Sequence, residues 1–285
     1  MRKILVCAAA FALPFLLPAC TGKAVAEPIV LIYDTVPVSK LVTPIINEGS
    51  GIADSKKNPG HIWVEEDSGN PPQLHLLSHD GTVKNTVHIA GATNRDWEDI
   101  ALSNGKIYIG EIGDNGRVFT DYAFYRFDEP TATTDTVRTI EKISFSYPDG
   151  PHDAEGFIVD PISKNIYIIT KRDMPSRIYV LKDPFSTTTI AVAELVGTLP
   201  YAGVVSAAIS ANGSELLIKT YMAIQYYRRT AGQTVADALK SKSTTLGYKQ
   251  EPLGEAIAFA LKGGFFTLSE KGFASSVNLF YYPKK

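Results

Sequence analysis

The chain has 285 residues, 45% of them hydrophobic, with 28 Lys and Arg against 30 Asp and Glu for a formal charge of −2. That is enough apolar chain for one large domain with its own core, while the slightly acidic balance and the lack of any basic run exclude a nucleic-acid binder. The two cysteines, Cys7 and Cys20, exclude a disulfide framework, because Cys7 lies in an apolar leader and leaves at most one thiol behind.

Met1-Arg2-Lys3 is a short basic start, and Ile4 to Ala19 is apolar and uncharged. At sixteen residues this run is short for a membrane span of about 20. It ends in Leu17-Pro18-Ala19-Cys20, which looks like a bacterial lipobox. Residues 1–19 are therefore read as a lipoprotein signal peptide, 20–27 as a lipidated Cys20 with a tether, and 28–285 as the folded domain. Pro18 departs from the usual small or aliphatic residue, so plain cleavage and secretion is the alternative. Loss of Arg2 and Lys3 leaves 26 basic against 30 acidic residues.

Ile29 to Asp34 is β-prone and precedes the first copy of a repeat. The repeat is clearest at Asp153-Ala154-Glu155-Gly156-Phe157-Ile158-Val159, followed by Ile166-Tyr167-Ile168-Ile169. Further copies begin near Glu48, Glu98, Ser206 and Glu255, giving steps of 50, 57, 51 and 49 residues. Short apolar runs at that period, separated by turns such as Asp160-Pro161-Ile162-Ser163, specify propeller blades rather than a helical solenoid. In the central unit the third strand is Arg177 to Leu181 and the fourth Thr189 to Glu194.

The expected fold is an all-β propeller of five blades, each of four antiparallel strands. The last blade runs out of chain after its third strand, Asn278 to Tyr282, so Ile29 to Asp34 is expected to close the ring as its outer strand. Six blades is the alternative if Phe119 to Tyr147 hides a degenerate unit. Gly232 to Lys240, behind Thr234 as a cap, is expected to form a short helix covering an edge.

In such a ring the inner strands start, and the second strands return, at one mouth of the channel. Glu48, Glu98, Glu155 and Glu255 gather there with Asp153. Converging carboxylates need a counter-charge, and oxygen ligands without Cys or paired His favour a hard ion such as Ca²⁺. Lys171, Lys219 and Lys271 offer the alternative of an ion-pair network without metal. Gly110-Glu111-Ile112-Gly113-Asp114-Asn115-Gly116-Arg117 is a shaped loop in which Glu111, Asp114, Asn115 and Arg117, with Lys171 nearby, form a candidate ligand-binding set; a plain tight turn is the alternative. His152, beside Asp153, is the one candidate general base, and a loop residue otherwise. No nucleophile elbow, zinc-protease motif or phosphate-binding loop is present, and no nucleotide or organic cofactor is expected.

Trp97-Glu98-Asp99-Ile100-Ala101, Gly110-Glu111-Ile112-Gly113-Asp114-Asn115, Tyr147-Pro148-Asp149-Gly150 and Gly254-Glu255-Ala256-Ile257-Ala258-Phe259 resemble a family of exported bacterial β-propeller proteins with no assigned activity. The likeness runs from Asn47 to Tyr282, and Ser206 departs from it where a Glu is expected. More distantly the inner-strand entries are similar to those of propeller phytases, SdiA-regulated proteins and the paraoxonase and gluconolactonase group. That resemblance implies Ca²⁺ in the channel, held near Glu48, Glu98, Glu155 and Glu255, serving hydrolysis of phosphate esters, carboxylic esters or lactones.

Three readings follow. The first is an envelope lipoprotein, on the membrane only through its lipid, that binds a small-molecule or protein ligand at the mouth. The second is a Ca²⁺-dependent hydrolase, and the third a scaffold for envelope protein contacts.

Overall fold

The computed structural model describes residues 32–285. The proposed signal peptide, Cys20 and tether lie outside the described residues. Strand β1 (Val38–Leu41) comes first. Blade one follows as β2 (Gly49–Asp54), β3 (His61–Glu66), β4 (Gln73–Ser78) and β5 (Val83–Ile89). Blade two is β6 (Trp97–Ser103), β7 (Lys106–Glu111) and β8 (Tyr122–Asp128), then, after β9 (Thr136–Val137), β10 (Glu141–Ser146). Blade three is β11 (Ala154–Val159), β12 (Ile166–Thr170) and β13 (Ser176–Leu181), then, after β14 (Ala191–Val192), β15 (Glu194–Leu199). Blade four is β16 (Val204–Ile209), β17 (Glu215–Thr220) and β18 (Ile224–Arg228), then, after helix α1 (Val235–Leu239), β19 (Thr244–Leu246). Blade five is β20 (Gly254–Phe259), β21 (Phe265–Ser269) and β22 (Asn278–Tyr282), completed by β1.

This is a five-bladed propeller of antiparallel four-stranded sheets. Phe119 to Tyr147 hides no sixth blade, because β8 and β10 are the third and fourth strands of blade two. Five apolar clusters separate the five blades. The one between blades two and three, for example, packs Phe124 and Phe145 against Phe157 and Tyr179. β2, β6, β11, β16 and β20 touch one another in turn and wall the channel. Their side chains are almost all buried, as strands covered on both faces require.

Two strand expectations need correction. The ring closes through Val38–Leu41, with Val38 opposite Tyr281 and Leu41 opposite Asn278. Of the expected Ile29 to Asp34, Tyr33 makes only an isolated bridge to Lys284, and Ile29 to Leu31 lie outside the described residues. In blade three the outer strand is Glu194–Leu199 rather than Thr189 to Glu194. Ala191 and Val192 instead pair in parallel with Phe145 and Ser146 of blade two.

That detour recurs. β9 pairs in parallel with β5, β14 with β10, and α1 packs against β15. In blades two, three and four the link between third and fourth strands thus reaches back to cover the preceding blade's outer edge, a region of unpaired backbone that otherwise invites association. The expected helix is one of these covers, opened by Thr234 and Asp237 in a reciprocal capping box.

Candidate functional site

Each inner hairpin carries a β-bulge at the same place. The register skips one residue between Gly49 and Gly51, Trp97 and Asp99, Ala154 and Gly156, Val204 and Ser206, and Gly254 and Ala256. A bulge leaves its extra residue unpaired and re-aims it. The skipped residues are Ser50, Glu98, Glu155, Val205 and Glu255. They form one ring of side chains, in which Ser50 Oγ donates to Glu255 Oε2 at 3.2 Å and to the Glu98 carbonyl at 2.9 Å.

Register defines a second ring one residue past each returning strand: Asp67, Ile112, Lys171, Tyr221 and Glu270. Lys171 Nζ donates to Glu155 and, at 3.1 Å, to the Tyr221 hydroxyl, which donates to Glu255. Ile112 turns into the core between blades two and three. Its place in the acid ring passes to Asp96, which sequence reasoning missed.

The two rings make an asymmetric mouth. Oxygens of Asp67, Asp96 and Glu98 come within 4.8 Å of one another, and so do oxygens of Glu98, Asp153 and Glu155. Glu98 belongs to both groups and is only 3% exposed. Its carboxylate accepts no hydrogen bond and joins no ion pair among the described residues. Burial, then Glu155 and Asp67, push its pKa well above the carboxylate range. Burial followed by Asp67 raises Asp96 to about 6, and burial followed by Glu255 raises Glu270 to about 8. On the far side, Glu155 keeps Lys171 charged despite its burial, and Arg172 Nε lies 2.6 Å from Asp153 Oδ2.

Gly113 shows how tightly the acids are held. A Cβ there would stand 1.9 Å from Glu98 Oε1 and 2.6 Å from Asp96 Oδ2, so the two carboxylates occupy the space of the missing side chain.

Beneath the mouth the channel is plugged. Asp99 Oδ2 accepts from Ser206 Oγ at 3.1 Å and from the Ala207 amide at 3.2 Å, joining blades two and four across the axis. Glu65 is fully buried beside it, and burial, then Asp67 and Asp99, hold its carboxyl well above the usual range.

The other candidates disperse. Glu48 is exposed on the rim, accepting from Asn70 Nδ2 at 2.6 Å, because the bulge gives its expected place to Ser50. Ser206 likewise cedes the ring position to Val205. Glu111 turns into blade two, where Thr93 Oγ1 donates to it at 3.2 Å. Asp114 organises its own loop, accepting from Val118 and Phe119 amides at 2.8 and 2.9 Å and from the Tyr122 hydroxyl at 2.8 Å. Asn115 and Arg117 stay exposed and tie to blade three through Arg172 and through Asp173 at 3.4 Å.

His152 is buried, with Asp173 Oδ2 at 2.9 Å on Nδ1 and Asp149 Oδ1 at 3.2 Å and the Tyr179 hydroxyl at 3.0 Å on Nε2. Lys219 is fully buried and donates to the Gly254 carbonyl. Lys271 forms no ion pair among the described residues.

The signal for Tyr221 and Glu270 was present in the repeat, since both follow a returning strand as Lys171 does. Asp96 had only its place two residues before Glu98 to mark it.

No family model matches the sequence, and no curated protein matches it. Solved structures do show a similar chain path. A luciferin-regenerating enzyme is 11% identical, with 82% of this chain and 73% of that chain covered and a TM-score of 0.47. A glucose dehydrogenase is 10% identical, with coverage of 86% and 99% and a TM-score of 0.48. Hydrazine synthase of Kuenenia stuttgartiensis is 8% identical, with coverage of 82% and 83% and a TM-score of 0.42. At these identities the likeness bears on neither ligand nor reaction.

Proposed function

We propose that the acidic mouth is a Ca²⁺-dependent ligand-binding site and that the protein works as a binding propeller at the bacterial envelope. The observation that carries this reading is the Glu98 carboxylate, buried, without a donor, and set between two groups of acids. Of the three lysines that offered a metal-free alternative, Lys171 alone pairs with a ring carboxylate, and it does so on the side of Glu155. No ion pair reaches Asp67, Asp96 or Glu98 among the described residues.

The donor set fits the ion. It is all oxygen, from carboxylates that can bind through one oxygen or both, which suits the loose coordination of Ca²⁺ better than the strict octahedron of Mg²⁺. Asp67, Asp96 and Glu98 would hold it. Bound there, Ca²⁺ would neutralise the acids and present open coordination positions to an oxygen-bearing ligand. Lys171 on the opposite wall, with two of its three ammonium protons held by Glu155 and the Tyr221 hydroxyl, would offer the third to that ligand. The apolar leader and Leu17-Pro18-Ala19-Cys20 support a lipid-anchored location.

Hydrolysis ranks second, because both ring nitrogens of His152 already face partners, Asp173 on Nδ1 and Asp149 with the Tyr179 hydroxyl on Nε2. The test is a calorimetric Ca²⁺ titration of chelator-treated protein with a matched thermal melt. Saturable uptake with a raised melting temperature is expected, since a ligand of the folded state stabilises it, and Glu98→Gln should abolish both. No heat and an unchanged melt in the wild type would overturn the reading.

A further inference from the structure

The loops joining second to third strands lie, by the antiparallel order of every blade, at the same end of the channel as the acidic rings. Four of the five carry a large apolar side chain held out in solvent: Val118 at 69% exposure, Met174 at 76%, Met222 at 74%, and Phe273, which is fully exposed. Leu253, on the link into blade five, adds a fifth at 43% and lies against the Phe273 loop, where a Cβ on Gly272 would come 2.6 Å from its Cδ1. Only the blade-one loop, Ser68-Gly69-Asn70-Pro71, presents no such residue.

These loops form a connected rim. Arg117 meets Asp173 at 3.4 Å between blades two and three, Lys171 meets Tyr221 at 3.1 Å between three and four, and Gln250 Nε2 donates to the Met222 carbonyl at 3.4 Å between four and five. Single exposed apolar residues are ordinary, and Ile162, Ile190 and Val192 stand out elsewhere, but one at four of five equivalent loop tips sets separate apolar anchors in a ring around a charged centre. Unbranched methionines at two of the tips suit a surface that adapts to what it meets.

We propose that this crown is a docking surface for a protein partner, one that inserts a Lys- or Arg-tipped segment into the acidic mouth and lays apolar flanks on Val118, Met174, Met222 and Phe273. Charge complementarity selects that occupant. Asp67, Asp96, Glu98, Glu255 and Glu270 face the axis against Lys171, with Arg172 tied to Asp153. A lipid bilayer, neutral or anionic at its surface, offers the apolar contact without the positive charge. The inference takes the mouth as the functional end, and the basic tip would compete with a bound cation for Asp67, Asp96 and Glu98.

The probe is a fluorescent capped peptide with a central Arg-Lys-Arg between Leu-Phe pairs, followed by anisotropy on the full chain with Ca²⁺ and with chelator. Saturable binding is expected, weakened by salt and tighter in chelator than in Ca²⁺. The variant Val118→Ser, Met174→Ser, Met222→Ser, Phe273→Ser should weaken it about tenfold or more, as loss of apolar anchors does. Ile162→Ser with Leu261→Ser, at the opposite end, should leave it unchanged.

Equal binding of a peptide with Glu-Glu-Glu at its centre would overturn the proposal. So would absence of peptide binding, or retention of the protein only by phosphatidylcholine and phosphatidylglycerol vesicles. Peptide binding without Ca²⁺ uptake would remove the cation reading alone. Ca²⁺ uptake without peptide binding would remove this proposal alone.

Discussion

Gly113 lacks a side chain at the point where two carboxylates would collide with one. Its backbone needs no special torsion, so the constraint is the space itself, filled by Glu98 Oε1 and Asp96 Oδ2. Gly113→Ala should therefore push the two acids apart without unfolding the chain. The expected cost is about 1–3 kcal/mol, the usual range for overpacking, with Ca²⁺ affinity in calorimetry falling at least as far as in Glu98→Gln. Retained affinity would show that the cradle is not the binding position. At this scale the sequence was legible where a Glu followed the strand entry directly, at Glu98, Glu155 and Glu255. It misled at Glu48 and Ser206 because a bulge shifts the mouth position by a residue or two, and nothing in the local composition marks which residue the register will skip. Asp96 stayed hidden for a related reason, since it replaces a ring member that Ile112 withdraws into the core.

The second and third strands of the central unit and the third strand of the last were readable from short β-branched and aromatic runs bounded by turns, and so was the capped helix. The parallel two-residue strands β9 and β14 were not, because their pairing partners lie in a different blade and their own sequences are too short to carry a period. Blades are nevertheless locked to each other by more than apolar packing. Arg229, just past β18 in blade four, reaches Asp160 at the end of β11 in blade three, with Nη1 2.7 Å from Oδ1 and Nη2 3.1 Å from Oδ2. Both side chains are buried, and although burial opposes it, Arg229 and Ser163 hold the Asp160 carboxyl below its usual range. Arg229→Met should cost about 3 kcal/mol by stranding that charge, seen as a melting temperature lowered by about 5–10 °C. Adding Asp160→Asn should recover part of the loss, whereas an undiminished deficit in the double variant would assign the cost to packing of the Arg229 stem.

A closed ring of five blades forces its inner-strand entries to meet, and the meeting of so many acids has a consequence for the whole molecule. Burial raises Glu65, Asp67, Glu98 and Asp99, repulsion from neighbouring acids adds to it at the first three, and Asp96 stands at about 6 and Glu270 at about 8. A carboxyl whose folded pKa exceeds its unfolded one binds its proton more tightly in the folded chain. Stability is then full below the unfolded pKa and is lost as pH rises toward the folded one. Each such proton contributes a slope of about 1.4 kcal/mol per pH unit within that window, or about 3–6 °C in melting temperature for a domain of this size. Asp160, Glu141 and Glu215 act in the opposite sense: their pKa values are lowered, so their contribution is lost as pH falls through the acid range. In chelator the melting temperature should accordingly peak in mild acid, near about pH 5, and decline toward pH 8. Ca²⁺ bound by the ionised acids should flatten that decline, and Glu270→Gln should make it shallower without metal. A level profile in chelator would mean that Lys171 and Arg172 already neutralise the mouth, leaving a cation nothing to balance.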